Sequence, residues 1–190
     1  IEPGVIRQAG NFARIDFAYD AQGSLLQKTT SAGGRTRQWN MTYNAIGQVL
    51  TVDGPRTDVN DVTTYAYYDA TDPCSGCRGN VKTTANAARH RTTFDAYDAD
   101  GQPTRITDPN GVVTMLSYDV RGRLRMRSVN AENAPVETTT FEYDNAGQLV
   151  RATMPDGSFL RYQYDAAHRL TEIADGLDNH RVMIFDQDLN

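Results

Sequence analysis

Phe141-Glu142-Tyr143-Asp144-Asn145-Ala146-Gly147-Gln148-Leu149 is the stretch that decides the fold, because copies of it return along the whole chain. Each copy opens with an aromatic residue followed by Asp or Asn, and the complete copies have Gly three residues later. Successive aromatic residues lie 21 to 29 residues apart, which indicates an internal repeat. The eight copies are Tyr19, Asp20 and Gly23; Tyr43, Asn44 and Gly47; Tyr68, Asp69 and the displaced Gly79; Tyr97, Asp98 and Gly101; Tyr118, Asp119 and Gly122; Tyr143, Asp144 and Gly147; Tyr164 and Asp165; and Phe185 and Asp186.

The phrase predicts a β-hairpin turn. Asp or Asn at the first turn position accepts hydrogen bonds from backbone amides ahead of it, and Gly three residues on can take positive φ. A type I turn followed by a left-handed residue keeps the right-handed twist of a hairpin. The aromatic residue ends the incoming strand, where its ring can cover a neighbouring strand. His168 stands at the Gly position of the seventh copy, so we expect it at positive φ with some strain.

A second, looser turn is expected about halfway between copies, and alternating apolar residues predict strands on both sides. Apolar residues six and nine positions after the Tyr, such as Leu149 and Ala152, change face on a regular strand, so a β-bulge or burial on both faces is expected. Gly, Pro and Asp recur too often for a helix of useful length. The second turns are placed at Gly33-Gly34, Asp53-Gly54-Pro55, Asn86 to His90, Asp108 to Gly111, Pro155-Asp156-Gly157 and Asp175-Gly176.

Composition limits the partners of the chain. A net charge of −5 in 190 residues gives no general attraction for nucleic acid, and no apolar run is long enough to span a membrane. Leu, Ile, Val and Phe supply only 36 residues, so the core is expected to be thin and the repeats to bury themselves against their neighbours. The chain begins at Ile1 without a leader sequence, so an internal fragment with no targeting signal is expected.

Cys74-Ser75-Gly76-Cys77 lies in the insertion that displaces the third Gly. Two cysteines at this spacing can bind metal, act in redox exchange or close a local disulfide. Four zinc ligands are not at hand and no βαβ unit is expected, so free thiols or a local disulfide between Cys74 and Cys77 are favoured.

Other candidate sites are explained by structure. Arg121, Arg123, Arg125 and Arg127 would share one face of a strand, and a solvated face paired with acids is favoured over a stripe for acidic cargo or nucleic acid. Asp95, Asp98 and Asp100 are assigned to turn chemistry rather than calcium. The ten Tyr are assigned to packing between repeats rather than to sugar binding. No catalytic residue, metal site or cofactor is predicted.

The phrase Tyr-Asp-x-x-Gly-x-Leu resembles the YD repeat of the Rhs family, most closely at Tyr118 to Leu124 and Tyr143 to Leu149. The resemblance runs from about residue 12 to the end. It implies an all-β fold in which tandem antiparallel β-hairpins form a twisted, curved sheet, an arc of an Rhs-type β-cocoon shell. Residues 1–190 are expected to be a single array of about eight units. Asp72-Pro73 and Asp108-Pro109 lie in or beside repeat turns, so no self-cleavage site is expected.

By this resemblance the chain is expected to be a wall segment of a shell that encapsulates a C-terminal toxin, secreted or displayed on the surface of a bacterium, without catalysis of its own. The expected partners are the rest of the shell and the enclosed toxin, with no nucleic acid and no membrane span. Self-association through open sheet edges is also expected. The alternative, suggested by the distantly related teneurins, is a carbohydrate-binding or adhesive module with a glycan as ligand.

Overall fold

The computed structural model describes residues 13–177 and 179–184. These residues form fifteen β-strands and one three-residue 3-10 helix at Ser75–Cys77. The predicted all-β fold of consecutive antiparallel hairpins is confirmed. The strands are β1 (Arg14–Tyr19), β2 (Leu25–Ala32), β3 (Arg35–Tyr43), β4 (Val49–Asp53), β5 (Thr63–Tyr67), β6 (Val81–Ala85), β7 (Arg91–Tyr97), β8 (Pro103–Thr107), β9 (Val113–Tyr118), β10 (Leu124–Asn130), β11 (Glu137–Tyr143), β12 (Leu149–Thr153), β13 (Phe159–Tyr164), β14 (Leu170–Asp175) and β15 (His180–Val182).

The chain divides into two compact units, residues 1–94 and 95–190, and the boundary falls within β7. In the first unit each strand from β1 to β7 pairs antiparallel with the next one along the chain. In the second unit the strands from β8 to β15 do the same. Each unit is therefore a meander built from sequence-adjacent hairpins, which is what a repeat with two turns per unit dictates.

The connection between β2 and β3 is the tightest in the described residues. Ala32 pairs directly with Arg35, so the turn contains only Gly33 and Gly34. Both glycines have positive φ, 56° and 74°. Two successive positive φ values define a type I′ hairpin, and Gly-Gly adopts this turn because neither residue has a Cβ to oppose it.

An extra residue lies in the return strand just after each repeat turn. Tyr143 pairs with Leu149, whereas its neighbour Glu142 pairs with Arg151, so Val150 is the additional residue of a β-bulge. The bulge confirms the prediction drawn from the three-residue apolar spacing, because it brings Leu149 and Ala152 to the same face. The same register shift occurs at Tyr19, Tyr43, Tyr67, Tyr118 and Tyr164.

The register gives the two faces of the second unit different chemistry, because residues paired across neighbouring strands project to the same face. One face is mainly aromatic and aliphatic, with the pairs Tyr118–Leu124, Phe141–Ala152 and Tyr162–Ile173. The opposite face is more polar, with the pairs Ser128–Thr138, Arg151–Arg161 and Gln163–Glu172, although it also carries Phe159 and Ala174.

Few side chains are fully buried. Among the described residues only Cys77, Ala152 and Ala174 are buried, and the large apolar side chains of the sheet are half-buried or exposed. Repeats of this kind are held by their neighbours rather than by a central core. The thin core predicted from the composition is what the described residues show.

Candidate functional site

The repeat turns form the recurring polar site of the molecule, and those within the described residues close in one way. The Asp20 amide donates to the Ser24 carbonyl (3.0 Å), and the Gly23 amide donates to the Asp20 carbonyl (3.2 Å). Asp20 Oδ1 also accepts the amides of Gln22 (2.9 Å) and Ser24 (2.8 Å), and Gly23 has a φ of 87°. The same pair of main-chain bonds closes the turns that begin at Asn44, Asp98, Asp119, Asp144 and Asp165.

Three of the turns between repeats use the same geometry. Asp108 and Asn86 each begin a turn in which their own amide bonds a carbonyl four residues ahead. Met154 begins another turn of this kind, so the first position of the turn does not have to be Asp or Asn. In this turn Asp156, two residues later, accepts the Ser158 amide through its Oδ1 (2.9 Å). The predicted turn at Asn86 to His90 is present, and Arg89 takes the left-handed position with a φ of 63°.

His168 occupies the left-handed position of the seventh turn with a φ of 63°, as predicted. Its amide donates to the Asp165 carbonyl (2.9 Å), as Gly does in the complete copies. Its ring Nδ1 lies 3.0 Å from Gln148 Oε1. A residue with a Cβ therefore fills a place that suits Gly, at a cost in backbone strain.

Five of the tyrosines that end incoming strands, here called the anchor tyrosines, each connect their repeat to the one before it. The Tyr143 hydroxyl donates to the Leu124 carbonyl (2.9 Å), and Leu124 is the residue that pairs with the preceding anchor, Tyr118. We call this series of bonds the hydroxyl ladder. Its other members in the described residues join Tyr43 to Leu25 (2.8 Å), Tyr67 to Val49 (2.8 Å), Tyr118 to Pro103 (2.9 Å) and Tyr164 to Leu149 (3.0 Å).

A second ladder runs in the opposite direction and was missed from the sequence. Gln102 follows the Gly of its turn, and its Nε2 donates to the Gly122 carbonyl of the next turn (2.9 Å). Gln48 donates in the same way to Gly79 (2.7 Å), and Gln148 to His168 (3.1 Å). The recurring Gly-Gln dipeptide was the available signal for this turn-to-turn ladder.

The third copy differs by one residue from the sequence assignment. Tyr67, not Tyr68, pairs with Val81 and belongs to the hydroxyl ladder. The Tyr68 amide donates to the Asn80 carbonyl (2.9 Å) and the Gly79 amide to the Tyr68 carbonyl (3.0 Å), so Tyr68 takes the place that Asp has elsewhere. Asp69 consequently begins the insertion instead of capping the turn. Two adjacent tyrosines and a displaced Gly left this register undetermined by spacing.

The insertion at residues 69–79, here called the cysteine loop, contains a disulfide between Cys74 and Cys77. Cys77 is only 1% exposed, whereas Cys74 is half-buried. The Cys74 amide donates to Asp72 Oδ1 (2.9 Å), and Arg78 Nε donates to the Asp72 carbonyl (2.8 Å). The loop is thus a compact structure of its own in the place of a short turn.

The four arginines do not share one face of a strand, so the expectation of a common face was wrong. Arg121 and Arg123 precede β10, and the register shift between Leu124 and Met126 interrupts the alternation before Arg127. Arg123 bonds Asp119 Oδ2 through Nε (2.7 Å) and Nη2 (2.6 Å), and its guanidinium lies 4.5 Å from the centre of the Tyr143 ring. This arginine therefore joins its own turn to the next repeat.

Hydrogen bonds and ion pairs within these turns lower the pKa of several carboxyl groups. The Arg123 side chain, followed by the Arg123 amide, lowers the pKa of Asp119 to about 2. The Ser24 amide is the main cause of the lowered pKa of Asp20, and the Arg169 amide that of Asp165. Burial raises the pKa of the anchor hydroxyls of Tyr67, Tyr118 and Tyr164. These are the shifts of structural hydrogen-bond partners.

Asp95 and Asp98, which calcium could bind together only if they converged, make separate hydrogen bonds. Asp98 caps its turn by accepting the amides of Asp100 (3.0 Å) and Gln102 (2.8 Å). Asp95 accepts a hydrogen bond from the Thr107 hydroxyl (2.6 Å). Across residues 13–177 and 179–184, no three His, Cys, Asp or Glu side chains are grouped so as to hold a metal. The eighth copy, Phe185 and Asp186, lies outside the described residues.

These hairpin units and their two ladders define a β-repeat protein. The model of the teneurin YD-shell family matches residues 4–188, and the chain belongs to that family. The sequence resemblance to YD-repeat proteins is thereby confirmed. No curated protein matches the chain. None of the helical structure in the described part has the length and apolarity of a membrane span.

Three of the solved structures that match the chain are named for Tc proteins. The crystal structure of TcdB2-TccC3-TEV is 16% identical over 85% of this chain and 10% of that chain, with a TM-score of 0.49. The crystal structure of TcdB2-TccC3 without its hypervariable C-terminal region has the same identity and coverage, with a TM-score of 0.48. The Tc holotoxin pore of Photorhabdus luminescens is 16% identical over 92% of this chain and 12% of that chain, with a TM-score of 0.46. The chain spans about a tenth of the length of these structures.

Proposed function

We propose that this chain is a segment of the wall of a YD-repeat shell, and that the shell of the parent protein encloses a C-terminal toxin until delivery. The observation that carries the proposal is the family match over residues 4–188. The two ladders support it, because they join one hairpin unit to the next. Low burial also supports it, because few side chains are fully buried within the described residues. A repeat built in this way has to be extended by further repeats to become stable.

In this proposal the wall segment has no catalytic activity, and residues 1–190 form one repeat array. Within the described residues Asp20 and Asp98 accept turn amides, and Asp119 binds Arg123. Such acids hold backbone rather than substrate. The partners of the wall are the rest of the shell, its enclosed polypeptide and, through open sheet edges, other copies of the chain. The parent is proposed to be a secreted or surface protein of a bacterium.

The test is protease protection of the cargo in the full-length parent protein. The C-terminal polypeptide is expected to resist protease while the shell is intact. Removing hydroxyl-ladder bonds with Tyr118→Phe, Tyr143→Phe and Tyr164→Phe together is expected to make the cargo sensitive. Tyr162→Phe is the matched control, because the described residues contain no hydrogen-bond partner for the Tyr162 hydroxyl. Cargo that is digested in the unmodified protein would contradict the enclosure role.

A carbohydrate-binding module requires aromatic rings that are free to stack on sugars. Five anchor tyrosines are half-buried and donate their hydroxyls to neighbouring strands, so the wall role is favoured. A glycan array on the purified chain separates the two functions. Binding to one glycan that is lost in a Tyr→Ala variant would favour the carbohydrate-binding role instead.

A further inference from the structure

The cysteine loop has a feature that the shell role does not require. Its disulfide joins residues only three apart in sequence, with Cα atoms 5.2 Å apart. In the chain-entropy description a disulfide stabilises more when it closes a longer loop, so a bond across three residues is among the least effective restraints. The neighbouring repeats close the same hydrogen bonds without a disulfide. Stabilisation of the fold is therefore a weak reason for this bond.

The two cysteines differ in their exposure. Cys77 is the most buried residue of the described part of the chain at 1% exposure, whereas Cys74 is half-buried. A thiolate attacks a disulfide at the sulfur that it can reach, and the other sulfur leaves. We propose that Cys74–Cys77 is a thiol–disulfide exchange site for small thiols and dithiols, in which Cys74 is attacked and Cys77 is the leaving and resolving cysteine.

The exchange balances in two steps. A thiolate of the dithiol attacks Cys74 Sγ, a new sulfur–sulfur bond forms, the Cys74–Cys77 bond breaks and Cys77 leaves as a thiolate that takes a proton. The second thiol of the reagent then loses its proton and displaces Cys74, which is protonated in turn. The dithiol is oxidised by two electrons and the protein disulfide is reduced by two. With a monothiol, Cys77 can instead attack the mixed disulfide and restore the original bond.

The loop transmits its redox state to the turn-to-turn ladder. Asn80 donates its amide to the Cys77 carbonyl (2.9 Å) and its side chain to the Gly76 carbonyl (2.8 Å). The adjacent Gly79 carbonyl is the acceptor for Gln48 Nε2. Opening the disulfide removes the covalent restraint from the segment that presents this carbonyl. Reduction is therefore expected to loosen one link of the ladder and to leave the link from Gln102 to Gly122 unchanged.

The experiment treats the folded chain with dithiothreitol and quenches samples with an alkylating reagent for mass spectrometry. Two thiols are expected to appear per chain without global unfolding, which circular dichroism monitors. Hydrogen exchange at the amides of Cys77, Gly79 and Asn80 is expected to accelerate on reduction. The Gly122 turn of the same molecule is the internal control and is expected to keep its exchange rate.

Single variants identify the attacked sulfur. Glutathione disulfide is expected to modify Cys74 in Cys77→Ser at least ~10-fold faster than it modifies Cys77 in Cys74→Ser, because Cys74 is half-buried whereas Cys77 is only 1% exposed. If a variant does not fold, the order in which the two cysteines of the briefly reduced wild-type chain are alkylated gives the same information. Equal rates, or thiols that appear only when the chain unfolds, would overturn the proposal.

Discussion

The third and fifth repeat turns form the same hydrogen bonds with very different loops. In the third, the cysteine loop separates Tyr68 from Asn80, and a disulfide closes it. In the fifth, the Asp119 amide reaches the Arg123 carbonyl (2.9 Å) across a short turn, and an ion pair between these residues holds it. Both turns present a carbonyl to a Gln of the preceding repeat. The repeat thus requires a carbonyl that accepts this hydrogen bond. Either a disulfide-closed loop or a short ion-paired turn can place that carbonyl.

The largest effect is expected from two anchor tyrosines, Tyr67, which ends the strand before the third turn, and Tyr143, on which Arg123 of the fifth turn lies. Tyr143→Ala is expected to lower the free energy of unfolding by about 3 kcal/mol, because it removes a half-buried ring and its hydrogen bond. Tyr67→Ala is expected to cost up to about 1 kcal/mol less, because no arginine is stacked on the Tyr67 ring within the described residues, whereas Arg123 lies on Tyr143. Urea denaturation measures both.

Replacing only the hydroxyls refines this test. Tyr143→Phe and Tyr67→Phe are each expected to cost about 1 kcal/mol, because each leaves a carbonyl of the hydroxyl ladder without its donor. Tyr162→Phe serves as the control and is expected to change stability little. Equal costs for the control and the two anchor variants would show that the ladder bonds contribute nothing.

The turn-to-turn ladder compares the two turns directly. Gln102→Ala and Gln48→Ala are each expected to cost about 1 kcal/mol, because both remove a bond to the next turn. Gln48→Ala also removes the bond from Asn44 Nδ2 to Gln48 Oε1, so its cost is expected to be at least as large. The free energies of unfolding of the two variants are measured with the Cys74–Cys77 disulfide intact. A harmless Gln48→Ala would mean that the cysteine loop does not hold its carbonyl as firmly as the short turn does.

A gain in stability is expected at the seventh turn. His168→Gly should raise the free energy of unfolding by about 0.5 kcal/mol, because Gly takes a φ of 63° without Cβ strain while losing more chain entropy. His168→Ala keeps the Cβ and loses the ring contact with Gln148, so it is the matched control and is expected to destabilise. Thermal denaturation of the two variants gives the comparison, and a lower midpoint for His168→Gly would contradict the strain.

The smallest effect is a pH dependence at the fifth turn. The pKa of Asp119 is lowered to about 2 in the folded chain, so its contribution is present above the unfolded value near 3.8 and is lost as the pH falls from there towards 2. Asp119→Asn keeps a side-chain oxygen for the turn amides, as Asn44 does, but loses the ion pair with Arg123. The variant is expected to lose less stability than the wild type over this pH range. Denaturation at several pH values tests it, and parallel curves would refute it.

The sequence was sufficient for the turns and insufficient for the links between them. Asp, Gly and their spacing specify a turn locally, so the turn at Asp108 or Asp144 could be predicted from a few residues. The bond from Gln102 to Gly122 joins neighbouring turns, and only the packing of one hairpin on the next brings those atoms together. The expectation that the four arginines share one face was wrong for a related reason. A bulge at the start of β10 breaks the regular alternation on which that expectation depended.

The direction of the hydroxyl ladder has a consequence for how the chain is made. Each anchor tyrosine in the described ladder donates to a carbonyl nearer the N-terminus. A hairpin that emerges from the ribosome therefore meets an acceptor on a repeat that has already been synthesised. Because domains and their parts fold as they emerge, each finished hairpin is a template for the next one. We expect the array to grow from the first repeat to the last.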